Sequence, residues 1–172
     1  MSTNISRFST IGTIMPDRAV LRTQLEETRA AFHALIDSLT DADWHRETVS
    51  TVWTVGEVMT HITVALTNKP KAIEHVRQGK DYMNLPGFLN WLTPMINRWL
   101  VKLCARGQTR ETILARYDQA HTAMVVALEG IRDDEWGLGA SCYGEGYKTI
   151  LDLCMMPNSH FQEHASQVVL SK

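Results

Sequence analysis

His160 and His164 stand four residues apart in the segment His160-Phe161-Gln162-Glu163-His164-Ala165-Ser166-Gln167. If that segment is helical, the two imidazoles share a face, with Cβ atoms about 6 Å apart. Two rings so placed can both reach one ion at about 2.0–2.1 Å. Gln167 continues the same face and is a candidate partner for the ligands rather than a ligand itself. A third histidine, His61, lies on a face with Val58, Ala65 and Glu57. Brought alongside the pair, it would complete a set of three nitrogens and leave a position for water or substrate, the pattern of catalytic rather than structural sites. A plainer reading stays open. A helical His pair is commonly solvated or hydrogen-bonded, and a single histidine on an apolar face is commonly a satisfied core residue. The other four of the seven histidines, His33, His45, His75 and His121, stand singly and are read as incidental residues on polar or loop surfaces.

Other chemistries fit less well. His160-x-x-Glu163-His164 also spells the H-x-x-E-H of a peptidase class in which a glutamate serves as base beside zinc. That class needs a further acidic ligand downstream, and the eight residues after His164 hold none. Glu163 remains a possible base near a metal, against the simpler reading of a surface carboxylate. Glu57 precedes His61 by one helical turn and could orient it; a helix-capping role explains it without function and is preferred. Cys104, Cys142 and Cys154 show no histidine at a spacing that would make a thiolate nucleophile, and Cys154 reads as a small packing residue.

These side chains need helices to position them. Pro16 and Asp17 open the first, and Leu21, Leu25, Thr28, Phe32, Leu35 and Leu39 follow at spacings of three and four. The second starts at Thr54, where Thr54-x-x-Glu57 is a capping box. Pro70 is expected to kink or interrupt it, and Gly79 to stop it. Between Pro86 and Gly107 the spacing of Phe88, Trp91, Leu92, Met95, Ile96, Trp99, Leu100 and Leu103 predicts one extra amphipathic helix. Trp91 and Trp99 share a face of it, read first as core or dimer packing and second as a pocket lid. The next helix begins near Thr109, with Ile113, Tyr117, Ala120, Met124, Ala127 and Ile131 as its seam. A glycine-rich loop follows, and Thr149 with Asp152 caps a last helix running to about Val169. Residues 1–15 lack periodicity and read as a loosely held arm.

The first and third of these main helices repeat 92 residues apart without a gap: Leu21 on Ile113, Phe32 on Met124, Arg18 on Arg110, Asp41 on Asp133 and Trp44 on Trp136. The two tryptophans are expected to plug the bundle ends. A duplicated helical hairpin predicts an all-α four-helix bundle in one domain spanning 1–172. The crossover insertion at 80–107 is long enough, about 28 Å for 19 helical residues, to carry the chain back along the bundle. The order would be up-down-down-up about a pseudo-two-fold axis.

Trp53-Thr54-x-x-Glu57-x-x-x-His61 resembles the W-[ST]-x-x-E-x-x-x-H start of helix 2 in the DinB/YfiT-like family, and His160-x-x-x-His164-x-x-Gln167 resembles its H-x-x-x-H-x-x-Q near the C-terminus. The repeat and the long crossover are also similar to that fold. The resemblance runs from about Pro16 to Val169. It implies a divalent metal, often zinc or nickel, held by His61, His160 and His164, in a bacterial and often homodimeric protein. It further implies an activity such as that of a thiol S-transferase or thiol-dependent isomerase, using a low-molecular-weight thiol and a small-molecule substrate. Two departures stand out. Pro157 removes a helix hydrogen bond just before His160, and the 80–107 insertion is long and aromatic.

Composition narrows the alternatives. The chain has 172 residues, is 44% hydrophobic and carries a net charge of −2, so it can bury a core. It also lacks the clustered basic residues that nucleic acid requires. No apolar run reaches the roughly 18 residues of a membrane span, and there is no signal-peptide pattern at the start. Free thiols suit a reducing, cytoplasmic setting. Two function classes remain. One is a metal-dependent enzyme with Gln167 beside its ligands. The other is a non-catalytic small-ligand or stress-response bundle holding metal weakly or not at all. Association with a membrane surface through residues 88–103 ranks third, since only Arg98 and Lys102 supply positive charge there.

Overall fold

The computed structural model describes residues 16–49, 53–83, 87–142 and 144–169. The arm expected at 1–15 lies outside them. Four long helices form the frame: α1 (Arg18–Asp37), α3 (Val55–Arg77), α5 (Arg110–Glu129) and α6 (Ile150–Val169). A short helix α2 (Asp41–His45) follows α1, and α4 (Thr93–Ala105) lies in the crossover.

Each start obeys the local chemistry of its sequence. Asp17 caps α1, its carboxylate accepting from the amides of Ala19 and Val20, so Pro16 lies just outside the first turn. Thr54 and Glu57 form the expected capping box on α3, with the Thr54 amide donating to Glu57 Oε2 at 2.9 Å. Thr109 caps α5, and Thr149 pairs reciprocally with Asp152 at the start of α6. These contacts satisfy backbone donors that helical geometry leaves free.

Long-range contacts give the direction of each helix. Arg22 at the start of α1 meets Glu129 at the end of α5, and Arg29 meets Asp118 midway, so the two run antiparallel. Thr28 meets Asn158, and Phe32 meets Phe161, so α1 and α6 are parallel. His61 faces His160, whereas Lys69 reaches Met156, so α3 and α6 are antiparallel. Arg77 ends α3 against the carbonyl of Gly130 just past α5, so those two are parallel. The order is up-down-down-up, as expected, and the crossover is long enough for it.

The repeat is visible as reciprocal clasps. Arg18 donates to the Ile131 carbonyl at 2.6 Å and pairs with Asp133. Its counterpart Arg110 donates to the Leu39 carbonyl and to Asp41 at 2.6 Å. Trp44 and Trp136 are both buried at the corresponding turns. Trp44 covers Gly56 so closely that a Cβ there would lie 2.6 Å from the indole. Phe32 stacks on Tyr117 with ring centroids 3.7 Å apart, and Phe161 tilts against Phe32 at 6.2 Å. The buried Thr60 and Thr63 hydroxyls return to the Gly56 and Met59 carbonyls, so neither carries an unmet donor into the core.

Four local expectations are corrected. Pro70 does not interrupt α3. A proline inside a helix costs about 3 kcal/mol, and the buried Leu66, Ala72 and Ile73 on either side supply the packing that holds the helix through it. The crossover is not one helix from Pro86 to Gly107: a 3-10 segment over Gly87–Leu92 precedes α4, with Pro94 in the first turn of α4. The glycine-rich loop contains a two-stranded antiparallel hairpin, β1 (Gly139–Cys142) and β2 (Gly146–Thr149). Its turn uses positive φ at Gly144 and Gly146, which glycine adopts without steric cost. In the α1 seam, Ile36 rather than Leu35 is fully buried, because the helix ends at Asp37 and Leu39 enters the core from the turn beyond.

Candidate metal centre and its cavity

The capping box starts α3 at a defined residue and so sets the face on which His61 emerges two turns later. α6 presents His160 and His164 one turn apart. Pro157 is itself buried, and α6 continues through it, so both rings stay on the face toward α3. The three ring centroids lie 4.5–4.9 Å from one another, and a ligand nitrogen of each lies within 4.8 Å of the others. His61 Nε2 and His160 Nε2 are 3.1 Å apart. Two nitrogens bound to one tetrahedral ion at about 2.0–2.1 Å would sit about 3.3 Å apart, so the His61–His160 pair already has the spacing of two ligands, and three imidazoles are a donor set that suits a divalent metal of borderline softness.

The surroundings favour neutral imidazoles, the form that ligates metal. Burial, with help from the neighbouring His164 and Lys69, pushes His61 down to about 4. Burial and the two other histidines push His160 down to about 3. His164 Nδ1 lies 3.2 Å from Gln167 Oε1. An amide oxygen can only accept, so Nδ1 donates and Nε2 is left with its lone pair free. Trp53 covers His61, with centroids 4.9 Å apart. Glu57 is turned to the Thr54 amide, which makes it a cap rather than a partner of His61.

The three histidines form one wall of a cavity of about 500 Å³. Leu100, Val101 and Cys104 of α4 line another side, and Glu163 stands exposed at the edge. The opposite side of the crossover carries Phe88, Trp91, Met95 and Trp99, all exposed; Trp91 is 75% and Trp99 63% accessible. The aromatic row therefore does not enter the core of the chain, and α4 covers the cavity with its other face.

Several residues of the cavity were not singled out by the sequence. Lys69 is buried and pairs with Glu145 beside Met156. It continues the spacing of His61 and Ala65 along α3, so a helical signal existed. Glu145 comes from the hairpin turn, far away in sequence, and had no such signal. Of the cysteines weighed in the sequence, Cys104 and Cys142 line the cavity, and burial raises the Cys142 thiol. Burial also raises Cys154, to about 12, in keeping with a packing residue. Of the incidental histidines, His121 is buried rather than on a polar surface, its Nε2 3.6 Å from Glu26. His33 bonds Asp118 at 2.8 Å.

A four-helix bundle with a crossover helix and three histidines converging on α3 and α6 defines a recognisable class. The chain belongs to the DinB superfamily, whose family profile matches residues 24–168. The fold is similar to that of the mycothiol-dependent maleylpyruvate isomerase (TM-score 0.67, 12% identity), over 89% of this chain and 61% of the isomerase. This chain therefore spans about three fifths of that enzyme's length. An uncharacterised protein of Clostridium difficile 630 superposes with a TM-score of 0.72 at 11% identity, covering 91% of this chain and 96% of the other. A protein of Streptococcus pneumoniae gives 0.67 at 12%, covering 90% of each. At such identities the likeness concerns the fold. No curated protein matches the sequence. Among the described residues, no helix is long and apolar enough to cross a membrane.

Proposed function

We propose that His61, His160 and His164 hold a divalent metal ion, zinc or nickel, and that the protein is a metal-dependent enzyme acting on a small molecule with a low-molecular-weight thiol, as an S-transferase or isomerase. The observation that carries this reading is the convergence of three imidazoles on one wall of a cavity. When bound, such an ion supplies a Lewis acid that lowers the pKa of a thiol or water at its open position. The protein's own contributions are separable. Gln167 holds His164 in the tautomer that offers Nε2. Trp53 packs against the His61 ring and limits its contact with water, which strengthens local electrostatics. Glu163 at the edge is placed to accept a proton from an incoming group. The same reading expects a cytoplasmic homodimer, with the exposed face of α4 covered by a second copy.

The test is metal analysis of tag-free protein, followed by thermal unfolding with added zinc or nickel. About one equivalent of metal, and a rise in Tm lost in His61→Ala and His164→Ala, supports the proposal. Less than about a tenth of an equivalent, with no stabilisation by either ion, returns the protein to the non-catalytic class of small-ligand bundles.

A further inference from the structure

Lys69 is a charged residue of the cavity that the metal reading does not use. It is 5% exposed, on the same face of α3 as His61 and two turns further on. Its ammonium donates to Glu145 Oε1 and lies 3.8 Å from Met156 Sδ. A lysine is almost never buried to this degree without a counter-ion, and removing such a pair from water is costly. Its counter-ion comes from a surface turn rather than from a helix. Glu145 sits between Gly144 and Gly146, both at positive φ, in the turn of the β1–β2 hairpin. Its side chain is 27% exposed, against 6% for Lys69. The carboxylate is therefore the half of the pair that water already reaches, and the ammonium is the half sealed in the cavity wall. Beside the pair, the Tyr82 hydroxyl donates to Asn68 Oδ1 at 3.2 Å, and Val64, Ala72 and Val101 supply apolar wall.

We infer that Lys69 is the anchor for a carboxylate on the ligand of this cavity, and that Glu145 is an internal stand-in which the ligand displaces. This deepens the reading of the cavity as a substrate pocket and rests on it, but not on which metal is bound. Met156, which touches Lys69, precedes His160 by one turn of α6, about 6 Å, and His61 precedes Lys69 by about 12 Å along α3. The ligand class is thus a small acid with a mainly apolar body and its reactive group one to two helical turns from its carboxylate. A salt bridge that merely ties the hairpin to α3 makes the opposite prediction for Glu145, because removing that carboxylate would then loosen the cavity.

Calorimetric titration with 4-phenylbutyrate and its neutral amide, 4-phenylbutyramide, separates the two. The titrations are run on the protein as purified and after saturation with nickel. The wild-type chain should prefer the acid by about tenfold or more, the weight of a charge-assisted hydrogen bond. Lys69→Met should erase that preference. Glu145→Gln should tighten the acid several-fold and leave the amide unchanged. If Lys69→Met alone unfolds, the double variant Lys69→Met with Glu145→Gln removes both charges together and should bind acid and amide equally. Equal binding of acid and amide by wild type, or weaker binding of the acid by Glu145→Gln, overturns the inference. Failure to take up nickel with the acid preference intact would sink the metal reading and leave this one standing.

Discussion

The two halves of the bundle have the same frame and different contents. Aligning the capping box Thr54–Glu57 on Thr149–Asp152 pairs His61 with Met156, Ala65 with His160 and Lys69 with His164. Because α3 and α6 run antiparallel, the pairs cross: His61 meets His160 and His164, while Lys69 meets Met156. One end of the cavity therefore gathers imidazoles and the other an ammonium. The contrast extends to the connections. The first half turns through α2, whereas the second uses a hairpin that brings Glu145 to Lys69. The repeated frame supplies equivalent positions, and the different residues at three of them give the cavity a direction.

The largest expected effect bears on that polarity. On the proposed metal reading, His160→Ala removes one of three ligands and should weaken zinc or nickel affinity by well over a hundredfold, whereas Ala65→Ser, at the matching position of α3, should leave it nearly unchanged. Competition against a chelating dye measures both, and equal losses would mean that the pairing of the two helices is wrong. Next come the repeat-related core residues Phe32 and Met124, both fully buried. Phe32→Ala should cost about 3–5 kcal/mol in urea unfolding and Met124→Ala about 2–5. Phe32 should lie at the upper end because it alone stacks on Tyr117.

A third effect is pH-dependent and belongs to the histidine end. In the unfolded chain His61 and His160 take protons near pH 6.5, but in the folded protein only near 4 and 3. Between those limits the unfolded state binds more protons, so stability is full above pH 6.5 and falls as pH drops. The loss for metal-free protein should be on the order of 2 kcal/mol for each histidine by pH 5. His61→Phe should flatten the profile, and an unchanged slope would contradict the burial of this site. The smallest effect tests the clasps. Arg18→Ala and Arg110→Ala should each cost about 1 kcal/mol, since both side chains are part-exposed. Their sum in the double variant should be additive within about 0.5 kcal/mol if the clasps at the two ends act independently.

Most of the frame was legible in the chain because it depends on local rules. Capping pairs three residues apart, seams spaced by three and four, and a repeat without a gap all survive translation into coordinates. The errors occur where packing outweighs local preference. Pro70 was expected to kink or interrupt α3, and the helix runs through it without interruption, held by buried neighbours. The Phe88–Trp99 row was read as core or dimer packing, and its exposure removes the core half of that reading. His121 was expected at the surface, and the α1–α5 interface encloses it. The glycine-rich loop hid a hairpin, since four-residue strands carry too little pattern to register.

The division at the site follows the same physics. Helical periodicity puts residues four apart on one face, so the pairing of His160 with His164, and the capping that fixes where His61 emerges, are properties of the linear chain. Whether α3 and α6 bring those faces together is settled by the crossing of packed helices, to which residues far from the site contribute. The contact of Lys69 with Glu145 has no local signature at all. It exists because a hairpin from the second half folds over a helix of the first, and only the three-dimensional arrangement could place that carboxylate at the far end of the cavity.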